Sequence, residues 1–440
     1  MQRRLVTSIL NTFAPGRSYS SKAGVEFASK HLHPSIPKIL SSPIKSGKGS
    51  YIELEDGKKL LDFTCGIGVT NTGHCHPKVV AAAQKQLETI IHSQVFVGYC
   101  RPMIDLMEEL LPIMPGSSLD SFFFVNSGSE AVENAVKLAK VATGRDEIIV
   151  MNGSFHGRTY ATASLTNSKY VYREGCRPGM GGIHVTEFPY CFHCPNKSSS
   201  GCCGYSIDHL KALFKQRCPP SQVAAIMLEP ILGEGGYVVP PASFLKELRE
   251  ICNKEGILLI ADEVQTGFGR TGKWFAVEHF GVEPDILIIA KGIASGMPLS
   301  GIVASRKLME KQAIGSVGGT YGGNAVSCAA GVGTIQAMKE EKMVENAAER
   351  GKQLFEGLQV LKNLSTPVDV RGLGLMVGVE FTVPGSASKI QSKCINDGVL
   401  LLTAGAYDTI RIIPPLNVSA EDVDKFLNVF VSNVTSVIGK

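Results

Sequence analysis

A carboxylate and an amine, Asp262 and Lys291, each stand at the end of a short apolar run. Ile257–Ala261 precedes the first and Ile286–Ala290 the second. Continuous β-branched runs bounded by Gly and Pro read as strands buried on both faces of a parallel sheet. Ligands gather outside the carboxyl ends of such strands, so both side chains are expected in one crevice. They could simply neutralise each other as a buried ion pair. Alternatively, a lysine in a partly desolvated pocket loses its proton readily and condenses with an aldehyde. An aspartate can keep a pyridine nitrogen protonated, which makes the ring an electron sink. Spacing alone leaves both readings open.

Other residues bear on the choice. Asn126-Ser127-Gly128-Ser129-Glu130 follows the strand-like Ser121–Val125 and opens a helical pattern through Val141. A strand, a Gly/Ser turn and a helix amino terminus form an anion site from free N–H groups, dipole and hydroxyls. N-capping by Ser127 or Ser129 is the plainer alternative. Ile148–Met151 leads into Asn152-Gly153-Ser154-Phe155-His156-Gly157-Arg158-Thr159. Phe155 can lie flat against a ring ligand and Arg158 can grip a carboxylate with two prongs. Core packing and a surface ion pair are the corresponding plain alternatives. Val223–Leu228 ends in Glu229-Pro230, ahead of Gly233-Glu234-Gly235-Gly236. Arg411, alone in Ile410–Leu416, needs an anionic partner. His74 and His76, on either side of Cys75, read as local hydrogen-bonders.

The elements that position these residues follow a pattern. Strands alternate with helices from about 121 to 304, the signature of an open α/β sheet. Helices are expected over Lys78–Thr89, Phe244–Glu255, Ala325–Lys339 and Glu340–Leu358, and a hairpin turns at Asp56-Gly57. Strands over Val368–Gly374, Leu375–Phe381, Val399–Thr403 and Thr409–Ile413 complete a smaller α+β unit. A chain of 440 residues with 44% apolar content buries a large core. The division expected is a large, mostly parallel-sheet domain over 76–325 and a small domain from 326–440, to which 20–75 contributes.

A net charge of +4 points to neither a nucleic-acid surface nor a basic membrane patch. No apolar run approaches the roughly 20 residues of a membrane helix. The first 25 residues lack Asp and Glu and carry Arg3, Arg4 and Arg17. A mitochondrial transit peptide over 1–19, cleaved after Tyr19, and a matrix location are expected. Twelve cysteines in so long a chain are not a disulfide framework. Cys191-x-x-Cys194 has metal-ligand spacing with Cys202-Cys203 behind it, but adjacent cysteines fit one metal poorly. A metal-free loop is the expectation.

The ordered set NSGSEA, FHGRT, EPI, ADEVQTGFGRTG, AKGIASGMPLS, GGTYGGN and RIIPPL runs from about Ser50 to the carboxyl end. It resembles the class III aminotransferases, pyridoxal-phosphate enzymes of the fold-type-I group, and one motif alone would be far weaker than the set. The resemblance implies that Lys291 holds the cofactor and shuttles the substrate proton, with Asp262 on the pyridinium nitrogen. It implies Gln265 at the ring 3′-oxygen, Phe155 stacked on the ring, and Gly128 and Ser129 at the phosphate. Ser127, His156, Glu229 and Val264 join the cofactor shell. The resemblance further implies that Thr320 reaches the phosphate of a neighbouring subunit, so that a homodimer with shared sites is expected.

For substrate, the resemblance assigns Arg158 to the far carboxylate of an ω-amino acid, with Ile67 lining the pocket. Arg411 takes the α-carboxylate of glutamate or 2-oxoglutarate, and Glu229 neutralises Arg411 when an ω-amine is bound. The favoured reaction is ping-pong transfer from 4-aminobutyrate to 2-oxoglutarate. Ornithine, acetylornithine or pyruvate- and glyoxylate-using members are the alternatives. The cysteines at 191–203 do not match the iron–sulfur position of animal 4-aminobutyrate enzymes. An aminomutase and a catalytically silent scaffold are rival readings; a dinucleotide-binding protein is disfavoured because no G-x-G-x-x-G joins a first strand to its helix.

Overall fold

The computed structural model describes residues 21–176, 178–196 and 203–439. The expected transit peptide and Cys202 therefore lie outside the described residues. Near the amino terminus β1 (Ile44–Lys48), β2 (Tyr51–Leu54) and β3 (Lys59–Asp62) form an antiparallel meander with the expected turn at Asp56-Gly57.

The central sheet has seven strands: β4 (Ser121–Val125), β5 (Glu147–Met151), β6 (Ile183–Thr186), β7 (Val223–Leu228), β8 (Leu258–Asp262), β9 (Ile286–Ile289) and β10 (Ser300–Ala304). Their order is β4-β10-β9-β8-β7-β5-β6. Every strand but β10 runs the same way; β10 is antiparallel to both neighbours. The alternating α/β pattern did not distinguish this reversal. Only residues 290–299 separate β9 from β10, and a parallel crossover needs a dozen or more.

The continuous apolar runs have a direct structural cause. Ile149, Met151, Ile226, Leu228 and Leu259 enter one core with the helices Tyr205–Gln216 and Ala242–Glu255. The alternate residues Ile148, Val150, Ala225, Met227 and Ile260 enter another with the helix Gly128–Thr143. Side chains alternate faces along a strand, so a sheet covered on both sides must be apolar at every position.

The carboxyl-terminal part adds β11 (Val368–Leu373), β12 (Met376–Phe381), β13 (Val399–Leu400), β14 (Leu402–Ala404) and β15 (Asp408–Ile412). A fully antiparallel sheet β11-β12-β15-β14 results, while β13 pairs in parallel with β3. The single strand expected over Val399–Thr403 is thus shared between two sheets. The helix Ala325–Glu340 packs on Pro77–Leu87 and Arg101–Leu110. Lys342 then turns the chain in a left-handed conformation, φ 50°. Met343–Leu358 follows and packs on the terminal helix Ala420–Ile438. The change of partners falls near residue 342, past the boundary expected at 325. Among the described residues no helix is long and apolar enough to cross a membrane.

Gly351 lets the helix Met343–Leu358 lie directly on the turn after β11: a Cβ there would sit 2.3 Å from the Gly374 carbonyl oxygen and 2.4 Å from its carbon. Backbone cannot yield as a flexible side chain does. Gly351→Ala should therefore cost ~1–3 kcal/mol through overpacking, read as a fall of a few degrees in thermal midpoint. An unchanged midpoint would show that the helix shifts freely.

Candidate active site

The parallel register sets the geometry. Asp262, last in β8, is paired opposite Ile288, and Lys291 follows three residues later. Both reach a cavity of about 320 Å³ at the carboxyl ends of the strands. Ser127, Gly128 and Ser129 line it from the turn after β4, and Phe155 and His156 from the turn after β5. Glu229, Val264 and Gln265 complete the ten predicted residues brought together there.

At the start of the helix Gly128–Thr143 the Ser127 hydroxyl accepts the Glu130 N–H at 3.3 Å. Glu130 in turn accepts the backbone and side-chain N–H groups of Asn126, at 2.8 and 2.9 Å. The plain capping role of Ser127 is therefore real. It leaves the Gly128 and Ser129 N–H groups without a partner among the described residues, where the helix dipole favours an anion. Gly157 presses close by: at φ 131°, a Cβ on it would sit 2.3 Å from the Ser129 hydroxyl oxygen.

Asp262 is 4% exposed. One carboxylate oxygen accepts the Val264 N–H at 3.1 Å and the other takes the His156 Nδ1–H at 2.7 Å. The opposite ring nitrogen, His156 Nε2, is buried without a hydrogen bond, as is Gln265 Oε1. Orphaned buried polar atoms are destabilising by roughly 1–3 kcal/mol each. Free helix N–H groups, an oriented carboxylate and these orphans fit a ligand that carries a phosphate, a ring nitrogen and a ring oxygen.

Lys291 adopts φ 49°, in the left-handed region rarely used by a residue with a side chain. Burial pushes its ammonium below the usual lysine range; Glu234, Asp262 and Glu229 oppose that and Arg411 adds to it. The amine is thereby nearer its neutral, nucleophilic form at physiological pH. Burial likewise lifts the Glu229 carboxyl to about 7, with His156 pulling it down and Asp262 pushing it up.

Glu229 does not pair with Arg411. Its two oxygens accept the N–H groups of Phe155, at 2.8 Å, and of Gly233, at 2.9 Å, which fixes the backbone of the aromatic that lines the cleft. Arg411 is ion-paired with Glu234 instead. The reason is position: Glu229 directly follows β7, whereas Glu234 sits on the glycine turn beside Arg411 on β15. Burial works to raise the Glu234 carboxyl, but Arg411 and Lys291 outweigh it and hold it low. The signal was available as one acid among three glycines. Lys169 was also missed: half-buried, its ammonium is lowered by burial and restored in part by Glu234, with Arg411 opposing.

Arg158 is exposed at the rim. Its guanidinium lies 5.6 Å from the Phe155 ring centre and 4.9 Å from that of Tyr172, and those rings meet edge-on at 5.2 Å. Ile67 is not among the residues lining the 320 Å³ cavity. Gly66 and Ile67 take left-handed backbone, and Ile67 instead lines a separate apolar groove with Val25, Leu32 and Ile36. Thr320 is exposed and outside its own chain's cleft. Cys194 and Cys203 meet at 3.3 Å, yet among the described residues the only three-donor group with metal-like proximity is Glu147, His184 and Cys218. It lies at the opposite end of the strands, since Glu147 begins β5.

Comparison with known proteins agrees with this geometry. The chain matches the family described as aminotransferase class-III over residues 34–434. It is 40% identical over 397 residues to a 5-aminovalerate aminotransferase of Pseudomonas putida, covering 87% of this chain and 91% of that one. It is 36% identical over 384 residues to a 4-aminobutyrate aminotransferase of Escherichia coli, covering 85% and 89%. The solved ornithine aminotransferase of Toxoplasma gondii, with pyridoxal phosphate at partial occupancy, superposes with a TM-score of 0.84 at 25% identity, over 99% of this chain and 98% of that one. The chain belongs to the class III aminotransferases. It is a pyridoxal-phosphate-dependent enzyme of the fold-type-I architecture.

The Gly157 contact yields a prediction. Gly157→Ala should push the Ser129 hydroxyl from the helix start and raise the pyridoxal phosphate concentration for half-saturation at least about tenfold, or ~1.4 kcal/mol. Equal affinity in titrations of apoenzyme would remove Ser129 from the phosphate site.

Proposed function

We propose that the enzyme moves the amino group of an ω-amino acid, 4-aminobutyrate in preference, to 2-oxoglutarate by a ping-pong mechanism. The observation that carries this reading is the different setting of two cations: Arg411 is buried and neutralised by Glu234, and Arg158 is exposed over an aromatic pair. A donor whose carboxylate lies far from its amine meets Arg158 while Glu234 keeps Arg411 neutral. A 2-oxo acid brings a carboxylate next to its reacting carbon, displaces Glu234 and takes Arg411. Lys169 adds positive charge on the same side. When bound, pyridoxal phosphate supplies the electron sink that stabilises a carbanion beside the amine. Lys291 moves the proton at that carbon, and Asp262, fixed by Val264 and His156, holds the proton on the ring nitrogen.

A homodimer is part of the proposal. Phe96, Val97 and Tyr99 are 91%, 84% and 91% exposed. They follow Ile91 and His92, whose carbonyl and ring touch Asn324 and Tyr321. Exposed apolar side chains gathered in this way support an interface here, and they border the turn that carries Thr320. This supports delivery of Thr320 to the partner subunit's phosphate site. Composition of the first 25 residues supports a mitochondrial matrix location.

Single-turnover conversion of the cofactor to its amino form tests the donor. We expect 4-aminobutyrate to outpace 5-aminovalerate, ornithine and acetylornithine; a faster acetylornithine reaction would overturn the assignment. Glu234→Gln should raise KM for 4-aminobutyrate about tenfold, ~1.4 kcal/mol, without raising it for 2-oxoglutarate. Equal rises for both would refute the gating role.

A further inference from the structure

Cys194 and Cys203 take no part in the chemistry of the cleft, yet their sulfurs are brought together. Cys194 follows the helical turn Cys191–His193, and its sulfur lies 3.3 Å from that of Cys203. Both residues are partly exposed. Cys203 directly precedes Gly204, which caps the 12-residue helix Tyr205–Gln216 in a left-handed conformation, φ 73°. Closing a bridge needs an approach of only about 1.3 Å, to the ~2.05 Å of a disulfide.

We propose that Cys194 and Cys203 are a reversible dithiol–disulfide site that reacts with low-molecular-weight disulfides. Cys203 is the attacking sulfur. The Tyr205 N–H and the Cys194 side chain hold its thiol below the usual range, as a helix amino terminus does for reactive thiols. The Cys203 thiolate attacks one sulfur of the small disulfide, forming a mixed disulfide and expelling one thiolate. Deprotonated Cys194 then attacks the Cys203 sulfur and expels the second. Two protein thiols become one disulfide as one external disulfide becomes two thiols, so electrons and protons balance.

The site is mechanically connected. Between Cys191 and Cys194, His193 stacks on Tyr407 at 3.8 Å and binds Glu380. Tyr190 binds Glu380 too. Arg371 links Glu380, at 2.8 Å, to the Gly236 carbonyl, at 2.7 Å, two residues from Glu234.

The test uses the full-length holoenzyme incubated with oxidised glutathione, alkylated with N-ethylmaleimide and digested with trypsin. Lys197 lies between the two cysteines, so cleavage leaves peptides joined only by the bridge. The expected product is a peptide pair linked through Cys194 and Cys203 that reductant separates. Cys203→Ser should abolish the pair. Cys194→Ser should stop at glutathione on Cys203, with the cofactor absorbance of both variants reporting an intact fold. A bridge that persists in Cys203→Ser would overturn the proposal. So would stoichiometric zinc that survives gel filtration and protects these thiols from alkylation until chelated.

Discussion

Everything at the cleft depends on β8 and β9 lying parallel with their carboxyl ends level. That register places Asp262 opposite Ile288 and Lys291 one short step beyond. Had β9 run the other way, the lysine would lie a full strand length from the aspartate. Parallel pairing requires a long connection, supplied by residues 263–285, and burial on both faces: Ile260, Ile286 and Ile288 enter one core, while Leu259, Ala261, Leu287 and Ile289 are buried on the other face. The unbroken hydrophobicity of these strands and the position of the Asp262–Lys291 pair therefore have one cause.

Charge in the cleft is arranged as carboxylates held by fixed partners around the buried Lys291 amine. Glu234 is held ionised by Arg411 against its burial. Glu229 is lifted toward neutrality by burial and answered by backbone N–H groups. Asp262 is oriented by His156. Among the described residues Lys291 has no ion pair, and burial lowers its affinity for a proton. A desolvated lysine kept from permanent salt-bridging is what carbonyl condensation requires.

Much of this was legible in sequence, for identifiable reasons. Strands β4 and β7 were read with their observed ends, and the Ser127 turn and both ends of the Asp262–Lys291 pair followed from where apolar runs stop. Local patterns could not choose between two acids five residues apart. Glu229 directly follows a strand and Glu234 sits in a glycine turn, and only the tertiary position of β15 decides which one meets Arg411. Ile67, in left-handed backbone after Gly66, lines the apolar groove with Val25 and Ile36 rather than the 320 Å³ cavity, a placement its local sequence does not display. The reversal of β10 depends on a connection length the run of apolar residues does not display. The helix Ala420–Ile438 was overlooked although Ser419 caps it and a hydrophobic stripe marks it.

The central claim is that Lys291, and no other lysine, receives the cofactor. Borohydride reduction of the holoenzyme, followed by digestion and mass spectrometry, locates the phosphopyridoxyl group directly. The account predicts one such group per chain, on Lys291. The group on Lys169 or another lysine, or no stable attachment in a protein saturated with pyridoxal phosphate, would contradict it.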